Sequence, residues 1–339
     1  MSNNEENLKV ALAMSQAVSH RIFPARVLDY LESGATLLNR EPMTEFSSER
    51  SLALLAEAQA LVTGWGCAMI NDEVLHAAPN LRYILHAGGT VKNHVDKVCW
   101  ERGVEISTAA DANAIPVAEY TVAMVILANK RVLQVGRKVH TLRTIVHAEE
   151  EYPDLGNYNK RVGVIGASKI GRHVIRMLGQ YELEVVVADP FLSDAEATAL
   201  GAAKVTLAEL AATSDVVSLH APSLPSTLNM INAELIASFK PGATFINTAR
   251  GELVDQAALL ERIQQDDLFA VLDVTTPWDL PSDSGLFTHP NVLVTPHMAG
   301  SLGTELERLA MSTVGEAHRL ARGEALKFRL PPEQLDLTA

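Results

Sequence analysis

Two side chains that can bind a carboxylate and move a proton follow two apolar runs of this chain. Arg250 comes directly after ATFINTA (243–249), and His297 ends NVLVTPH (291–297). If both runs are parallel strands, the side chains stand at carboxyl ends, where ligands bind in open α/β sheets. A guanidinium binds a carboxylate through two parallel hydrogen bonds, and an imidazole exchanges protons near neutral pH. Either residue alone is commonly structural, but together they predict a catalytic pair.

A glycine-rich turn supplies a reason to expect a cofactor beside that pair. VGVIGASKIGR (162–172) has the spacing Gly-x-Gly-x-x-Gly with a serine at the middle position. An apolar run precedes it, a helical pattern follows it, and a second apolar run ends at Asp189. This succession predicts a dinucleotide-binding unit in which helix-start amides face a pyrophosphate. The candidate cofactor-binding residues of the turn are Gly166, Ser168, Lys169, Ile170 and Gly171.

Asp189 indicates which dinucleotide is preferred. A carboxylate there accepts hydrogen bonds from both ribose hydroxyls and repels a 2′-phosphate. The next residues, Pro190 to Leu192, contain no cation that could neutralise such a phosphate. The sequence therefore predicts NAD as the cofactor. With a nicotinamide nearby, a guanidinium and an imidazole suffice for a 2-hydroxy acid and its 2-keto acid to exchange hydride.

The elements that must position these groups recur along the chain. Five short apolar runs in the first third and seven after residue 160 alternate with helical patterns, which predicts parallel sheets covered on both faces. One long helix is predicted from Pro116 to His147, and Thr206 and Asp255 are predicted N-caps. With ~150 residues per domain, the pattern predicts two doubly wound α/β domains. The expected boundaries are 1–110 plus 302–339 for a substrate domain, and 111–301 for an inserted NAD-binding domain.

Composition and residue spacing limit the classes of partner that we expect. The net charge is −13 and no dense Lys/Arg run is present, so nucleic acid is not an expected partner. The most apolar segment, about 12 residues from Val117, is short of the ~20 that a membrane span needs. Two isolated cysteines, Cys67 and Cys99, and the lack of a signal-peptide pattern favour a reducing cytoplasm. No residue spacing typical of a metal site is present.

Most of the chain resembles the D-isomer-specific 2-hydroxyacid dehydrogenase family, most strongly from Ala87 to Gly300. The stretches that carry the resemblance are NAIPVAEYTVAMVILANKR, RVGVIGASKIGR, DVVSLHAPSLPSTLNMINAELIASFKPGATFINTARGELVD and LFTHPNVLVTPHMAG. It implies a Rossmann NAD-binding domain inserted into a flavodoxin-like substrate domain, and a homodimer joined through the NAD-binding domain. It also implies Arg250 as the residue that binds the substrate carboxylate and carbonyl, and His297 as acid and base.

Further residues receive roles from this resemblance alone. The backbone at Gly88 and Gly89 is expected to hold the substrate carboxylate. Thr248, Ala249 and Asp273 are expected to line the nicotinamide pocket. His220 is expected to lie along the cofactor, with a purely structural role equally open.

The sequence departs from the family at one catalytic position. The family carries a glutamate in a loop of the form Asp-Val-x-x-x-Glu-Pro-Leu, whereas this chain reads DVTTPWDLP (273–281), with Trp278 in place of the glutamate and Asp279 in place of the proline. An indole has no acceptor and cannot stabilise an imidazolium. Asp279 replaces the carboxylate, His297 works without one, or turnover is lost. Both loop residues are also candidate contacts of the substrate, and Trp278 would suit a bulky or apolar side chain.

These residues predict an NAD-dependent oxidoreductase acting on a D-2-hydroxy acid or 2-keto acid. The alternative is an NAD-binding sensor, similar to corepressors of this fold, which the missing glutamate favours. A formate-type dehydrogenase needs no proton transfer but a small pocket, so the bulk of Trp278 argues against it.

Overall fold

The computed structural model describes residues 7–337, which divide between two compact units. The first unit takes the chain up to Asn113 and again from Ser301, and the second is Ala114–Gly300. Each unit is an α/β domain built on one parallel sheet. The sequence-based prediction of two doubly wound parallel-sheet domains is confirmed.

The first unit has a five-stranded sheet. Its strands are β1 (Lys9–Ala13), β2 (Thr36–Leu37), β3 (Ala60–Thr63), β4 (Tyr83–His86) and β5 (Glu105–Thr108), in the order β2-β1-β3-β4-β5, all parallel. Its helices are α1 (Gln16–Ile22), α2 (Ala25–Glu32), α3 (Glu49–Glu57), α4 (Asp72–Ala77) and α5 (Val98–Glu101), together with the C-terminal helix Leu306–Ala321. That last helix buries Leu309 and Val314 in the same apolar cluster as Leu31 of α2. The end of the chain therefore completes the core of the first unit.

The second unit has a seven-stranded sheet. Its strands are β6 (Arg161–Ile165), β7 (Glu184–Ala188), β8 (Ala203–Lys204), β9 (Val216–Leu219), β10 (Ala243–Asn247), β11 (Leu268–Leu272) and β12 (Val292–Val294). All pair in parallel in the order β12-β11-β10-β9-β6-β7-β8. The chain reverses its direction across the sheet between β6 and β9, and the crevice at such a point is where these sheets bind ligands.

The helices of this sheet cover both of its faces. They are α6 (Ala110–Asn129), α7 (Val132–Leu142), α8 (Ala148–Glu151), α9 (Lys169–Leu178), α10 (Asp194–Leu200), α11 (Leu207–Thr213), α12 (Ala233–Ala237), α13 (Gln256–Ile263) and α14 (Gly285–Thr288). The predicted caps are present: the Thr206 hydroxyl accepts a bond from the Glu209 amide, and the Asp255 carboxylate from the Ala258 amide. α6 is long and apolar enough to span a membrane by those two criteria, yet it buries Ala118 in the core of the unit.

The prediction of one helix from Pro116 to His147 is wrong. α6 begins six residues earlier and contains Pro116. The helix is then interrupted at Arg131, whose φ is +51°. Contacts distant in sequence fix the break. The Arg131 guanidinium donates to the Thr244 hydroxyl and the Gly242 carbonyl and lies 3.7 Å from the centre of the Phe269 ring. Because these partners lie more than 100 residues further along the chain, local periodicity cannot reveal the break.

Candidate active site

At the two outer positions of the glycine turn after β6, no residue other than glycine fits. Gly166 has a φ of +90°, and a Cβ there would lie 2.8 Å from the Ala221 nitrogen. A Cβ on Gly171 would lie 2.0 Å from the Gly166 oxygen. The strand end and the first turn of α9 therefore approach more closely than any side chain allows.

Ser168 at the middle position is the N-cap of α9. Its hydroxyl oxygen accepts a hydrogen bond from the Gly171 amide at 3.3 Å. The hydroxyl proton is still available to an acceptor, and Lys169 and Ile170 form the first helical positions after it. The amide of Ile170 has no partner among the described residues, which is the usual condition of a helix start and suits an anion.

Asp189 follows β7 beside this turn. Its two carboxylate oxygens accept hydrogen bonds from the amides of Ala167, at 2.7 Å, and Phe191, at 2.8 Å. The carboxylate is thereby tied to the glycine turn itself. Each oxygen has a second lone pair for the hydroxyl of a ribose.

His220 follows β9 on the other side of the crevice. The ring is buried, its Nε2 lies 2.9 Å from the Ser218 hydroxyl, and its Nδ1 has no partner among the described residues. Burial lowers the pKa of His220 to about 3, so the ring is neutral. Together with the glycine cradle and Asp189, this unsatisfied nitrogen makes the crevice chemically suited to a dinucleotide.

Arg250 is held at the end of β10 by a neighbour on its own strand. The Asn247 side chain donates to the Arg250 carbonyl at 2.9 Å and accepts from the Ala249 amide at 3.0 Å. The hydroxyl of Thr248 lies 3.3 Å from that of Thr121 on α6. Burial lowers the pKa of Arg250 from its ordinary value, although the guanidinium stays charged. Its one hydrogen bond within the described part of the chain goes to the Ala249 carbonyl, so most of its donors are available to a ligand.

His297 stands on a tight turn after β12 that Asp273 organises. The buried Asp273 carboxylate accepts bonds from the Thr295 hydroxyl and from the amides of Met298 and Ala299, at 2.6 to 2.9 Å. The His297 amide donates to the Asp273 carbonyl, and the residue has a φ of +52°. Loss of water around the ring, and then the charge of Arg250, lower the pKa of His297, while Asp273 opposes the shift. The guanidinium and the imidazole are therefore close enough to interact electrostatically.

Trp278 is the aromatic neighbour of His297. The two ring centres are 5.0 Å apart at an interplanar angle of 51°. The imidazole has no carboxylate partner among the described residues, and the exposed Asp279 makes no hydrogen bond or ion pair there. Trp278 and Asp279 both line a pocket of about 290 Å³ that His297 also borders.

Gly88 and Gly89 belong to the first unit, directly after β4. Their amides have no hydrogen-bond partner among the residues that the structure covers. A Cβ on Gly88 would lie 2.6 Å from Nε2 of His86 and 3.3 Å from Nε1 of Trp65, so a larger residue would have to displace the buried His86 ring. Two free amides at a strand end can receive a carboxylate.

The second unit thus groups Arg250, His297, Asp273 and Trp278, whereas Gly88 and Gly89 lie in the first unit. Sequence reasoning missed Asn247 as the residue that holds the Arg250 turn. It also missed that Asp273 organises the His297 turn. An Asn at the end of a buried strand, three residues before an arginine, was the available signal for the former.

Comparison with known proteins identifies the family. The model for the NAD-binding domain of D-isomer specific 2-hydroxyacid dehydrogenases matches residues 122–299. D-3-phosphoglycerate dehydrogenase of Mycobacterium tuberculosis is 34% identical over 276 residues, 80% of this chain and 51% of that protein. The enzyme of the same name from Methanocaldococcus jannaschii is 31% identical over 84% of this chain and 54% of its own length. The chain thus spans about half the length of these curated relatives.

A solved phosphoglycerate oxidoreductase from Rhizobium etli has the same fold. It superposes with a TM-score of 0.81 over 95% of this chain and 98% of that chain, at 20% identity. The domain that the family model describes binds NAD, in agreement with the cofactor predicted from Asp189. The chain belongs to the D-isomer-specific 2-hydroxyacid dehydrogenases, a family of NAD-dependent oxidoreductases.

Proposed function

We propose that this chain interconverts a D-2-hydroxy acid and its 2-keto acid with NAD. The observation that carries the proposal is the pairing of Arg250 and His297. Both follow strands of the seven-stranded sheet, and the charge of Arg250 lowers the pKa of His297. Arg250 also keeps most of its hydrogen-bond donors for a ligand.

The residues of the chain divide the work as follows. Gly166, Ser168, Gly171 and Asp189 hold the cofactor, which accepts or supplies the hydride. Arg250 binds the substrate carboxylate through its guanidinium and draws electron density from the neighbouring carbonyl. His297 removes the proton of the C2 hydroxyl during oxidation and returns a proton to the carbonyl oxygen during reduction.

His297 performs this step without a carboxylate partner. Among the three outcomes open from the sequence, this one is supported by the ring of Trp278 beside the imidazole. With its pKa lowered, the imidazole is neutral at pH 7, which is the form that accepts a proton. The neutral imidazole is the form that the oxidation step needs, whereas reduction needs the protonated ring.

Kinetics with a panel of 2-keto acids, from glyoxylate to phenylpyruvate, tests the proposal through loss of NADH absorbance. Turnover that disappears in both Arg250→Ala and His297→Ala, with NADH affinity retained by calorimetry, supports it. NADH binding without turnover of any keto acid or hydroxy acid would favour the alternative, an NAD-binding sensor, for which the missing carboxylate argues.

We further propose a homodimer joined through the second unit. The helix α7 has no buried residue, and Val139, Leu142 and Ile145 on and after it expose 37%, 56% and 82% of their surface. Such an exposed apolar face favours burial against the same face of a second copy of this chain. Light scattering, which measures the mass in solution, tests the dimer, because Leu142→Asp should give a monomer.

We also propose a cytoplasmic location, which the two free and buried cysteines support.

A further inference from the structure

The pocket beside His297 has a mostly apolar wall. Its volume is about 290 Å³, at the small end of ligand pockets. The apolar side chains that line it are Val274, Trp278, Leu280, Phe287, Val294 and Pro296. Trp278 and Phe287 each expose half or more of their surface, at 56% and 50%. Aromatic rings that stand this open are available to a ligand.

One uncompensated charge lies in this wall. Asp273 also lines the pocket, but its buried carboxylate already accepts hydrogen bonds from one hydroxyl and two amides. The carboxylate of Asp279 has no hydrogen bond or ion pair within the described part of the chain, and no Lys or Arg lines the pocket. Thr275 and Thr295 also line the pocket but carry no charge. His297 has a lowered pKa and is neutral at pH 7. Among the described residues, the pocket therefore combines two aromatic faces with one carboxylate that has no hydrogen bond or ion pair.

We propose that this pocket binds the cationic end of the substrate's side chain. This inference rests on the proposed function, and it names the substrate class as 2-hydroxy and 2-keto acids with an aliphatic stem that ends in an ammonium or guanidinium group. The carboxylate of such a molecule binds Arg250, and its cation lies between Asp279 and the aromatic faces. The reaction itself is unchanged: keto acid, NADH and one proton give hydroxy acid and NAD.

Electrostatics favour substrates with a cationic side chain over those with a neutral apolar or an anionic side chain. A cation over an indole or phenyl face is attracted by the ring quadrupole, and Trp gives the strongest interaction. A neutral apolar side chain would gain no electrostatic attraction from the exposed Asp279 carboxylate and would displace part of its hydration. A second anion would meet that carboxylate and a chain whose net charge is already −13.

Two isosteric probes test the assignment. They are 6-(trimethylammonio)-2-oxohexanoate and its uncharged carbon analogue, 7,7-dimethyl-2-oxooctanoate, which have the same shape and cannot cyclise. We expect kcat/KM to favour the cationic probe by about tenfold, as partly exposed cation–π and ion-pair contacts provide. In Asp279→Asn this ratio should fall to about threefold, because the cation–π contacts with Trp278 and Phe287 remain while the ion pair is lost. The matched control Asp283→Asn removes a nearby exposed carboxylate that does not line the pocket and should keep the ratio.

The outcomes separate this inference from the function on which it rests. Turnover of both probes with equal kcat/KM, or a preference that is undiminished in Asp279→Asn, overturns the cation site and leaves the dehydrogenase intact. Absence of turnover with these probes and with every simple keto acid overturns the proposed function, and the substrate class with it. Calorimetry with NADH shows that each variant is folded and binds the cofactor.

Discussion

Replacing Trp278 by glutamate should move the pH dependence of catalysis. The indole lies beside His297 and offers no negative charge, so loss of water and the charge of Arg250 keep the pKa of His297 below its usual value. A carboxylate in the same place favours the imidazolium and raises that pKa. Reduction of a keto acid needs the protonated ring, and oxidation needs the neutral one. The variant should therefore gain reduction at pH 7.5 and lose some oxidation near pH 6.

The distance between the rings sets the size of the effect. Opposite charges about as far apart as the two ring centres, 5.0 Å, attract by about 3 kcal/mol at an effective dielectric constant of ~20. That corresponds to roughly 2 pKa units at 1.36 kcal/mol per unit. Because Trp278 is 56% exposed, solvent screening reduces the shift to about 1 unit. Since the protonated fraction above the pKa changes tenfold per unit, reduction at pH 7.5 should rise about tenfold.

The assay is kcat/KM for reduction and for oxidation between pH 5 and pH 9. Trp278→Gln is the matched control, because it has the shape of the glutamate without its charge and should leave the apparent pKa low. NADH affinity, measured by calorimetry, reports whether each variant is folded. If the glutamate and glutamine variants give the same apparent pKa, the reasoning is refuted, and either His297 is not the proton carrier or Asp279 already supplies the charge.

Two further substitutions test the framework of the site. Gly171→Ala places a methyl group 2.0 Å from the backbone oxygen of Gly166. We therefore expect the free energy of unfolding to fall by about 2 kcal/mol and the Kd for NADH, measured by calorimetry, to rise at least tenfold. An unchanged affinity for NADH would contradict the close approach of strand and helix. Asp273→Asn makes one of the three donors face the side-chain NH₂ group instead of an oxygen. We therefore expect the free energy of unfolding, measured by thermal melting, to fall by about 2 kcal/mol, and kcat to fall more than the affinity for NADH. An unaltered kcat would show that the His297 turn does not depend on the Asp273 carboxylate.

Most elements of the fold were predictable from the local sequence. Each of the twelve apolar runs predicted as strands overlaps a strand. Burial on both faces of a parallel sheet requires continuous apolar residues in the central strands, whereas the two-residue edge strands β2 and β8 are not buried. The glycine turn was recognisable for a similar reason, since a close approach of strand and helix leaves room for glycine alone. The helix break at Arg131 was not recognisable, because its contacts Thr244 and Phe269 lie more than 100 residues further along the chain.

The candidate site divides in the same way. Residue types and spacing alone indicated Arg250, His297 and the preference for NAD, because charge and hydrogen-bonding capacity are properties of single side chains. The sequence also determined that an indole, with no acceptor, replaces the acid partner.

Only the tertiary structure decided what surrounds these groups. It placed the ring of Trp278 against the imidazole, and it put Asp279 in an aromatic pocket with no partner among the described residues. It also showed that Asp273 organises the turn on which His297 lies. The physical reason is that a pKa and a pocket depend on distances and solvent access among side chains from different loops. Those quantities exist only after the strands are aligned and their carboxyl ends meet.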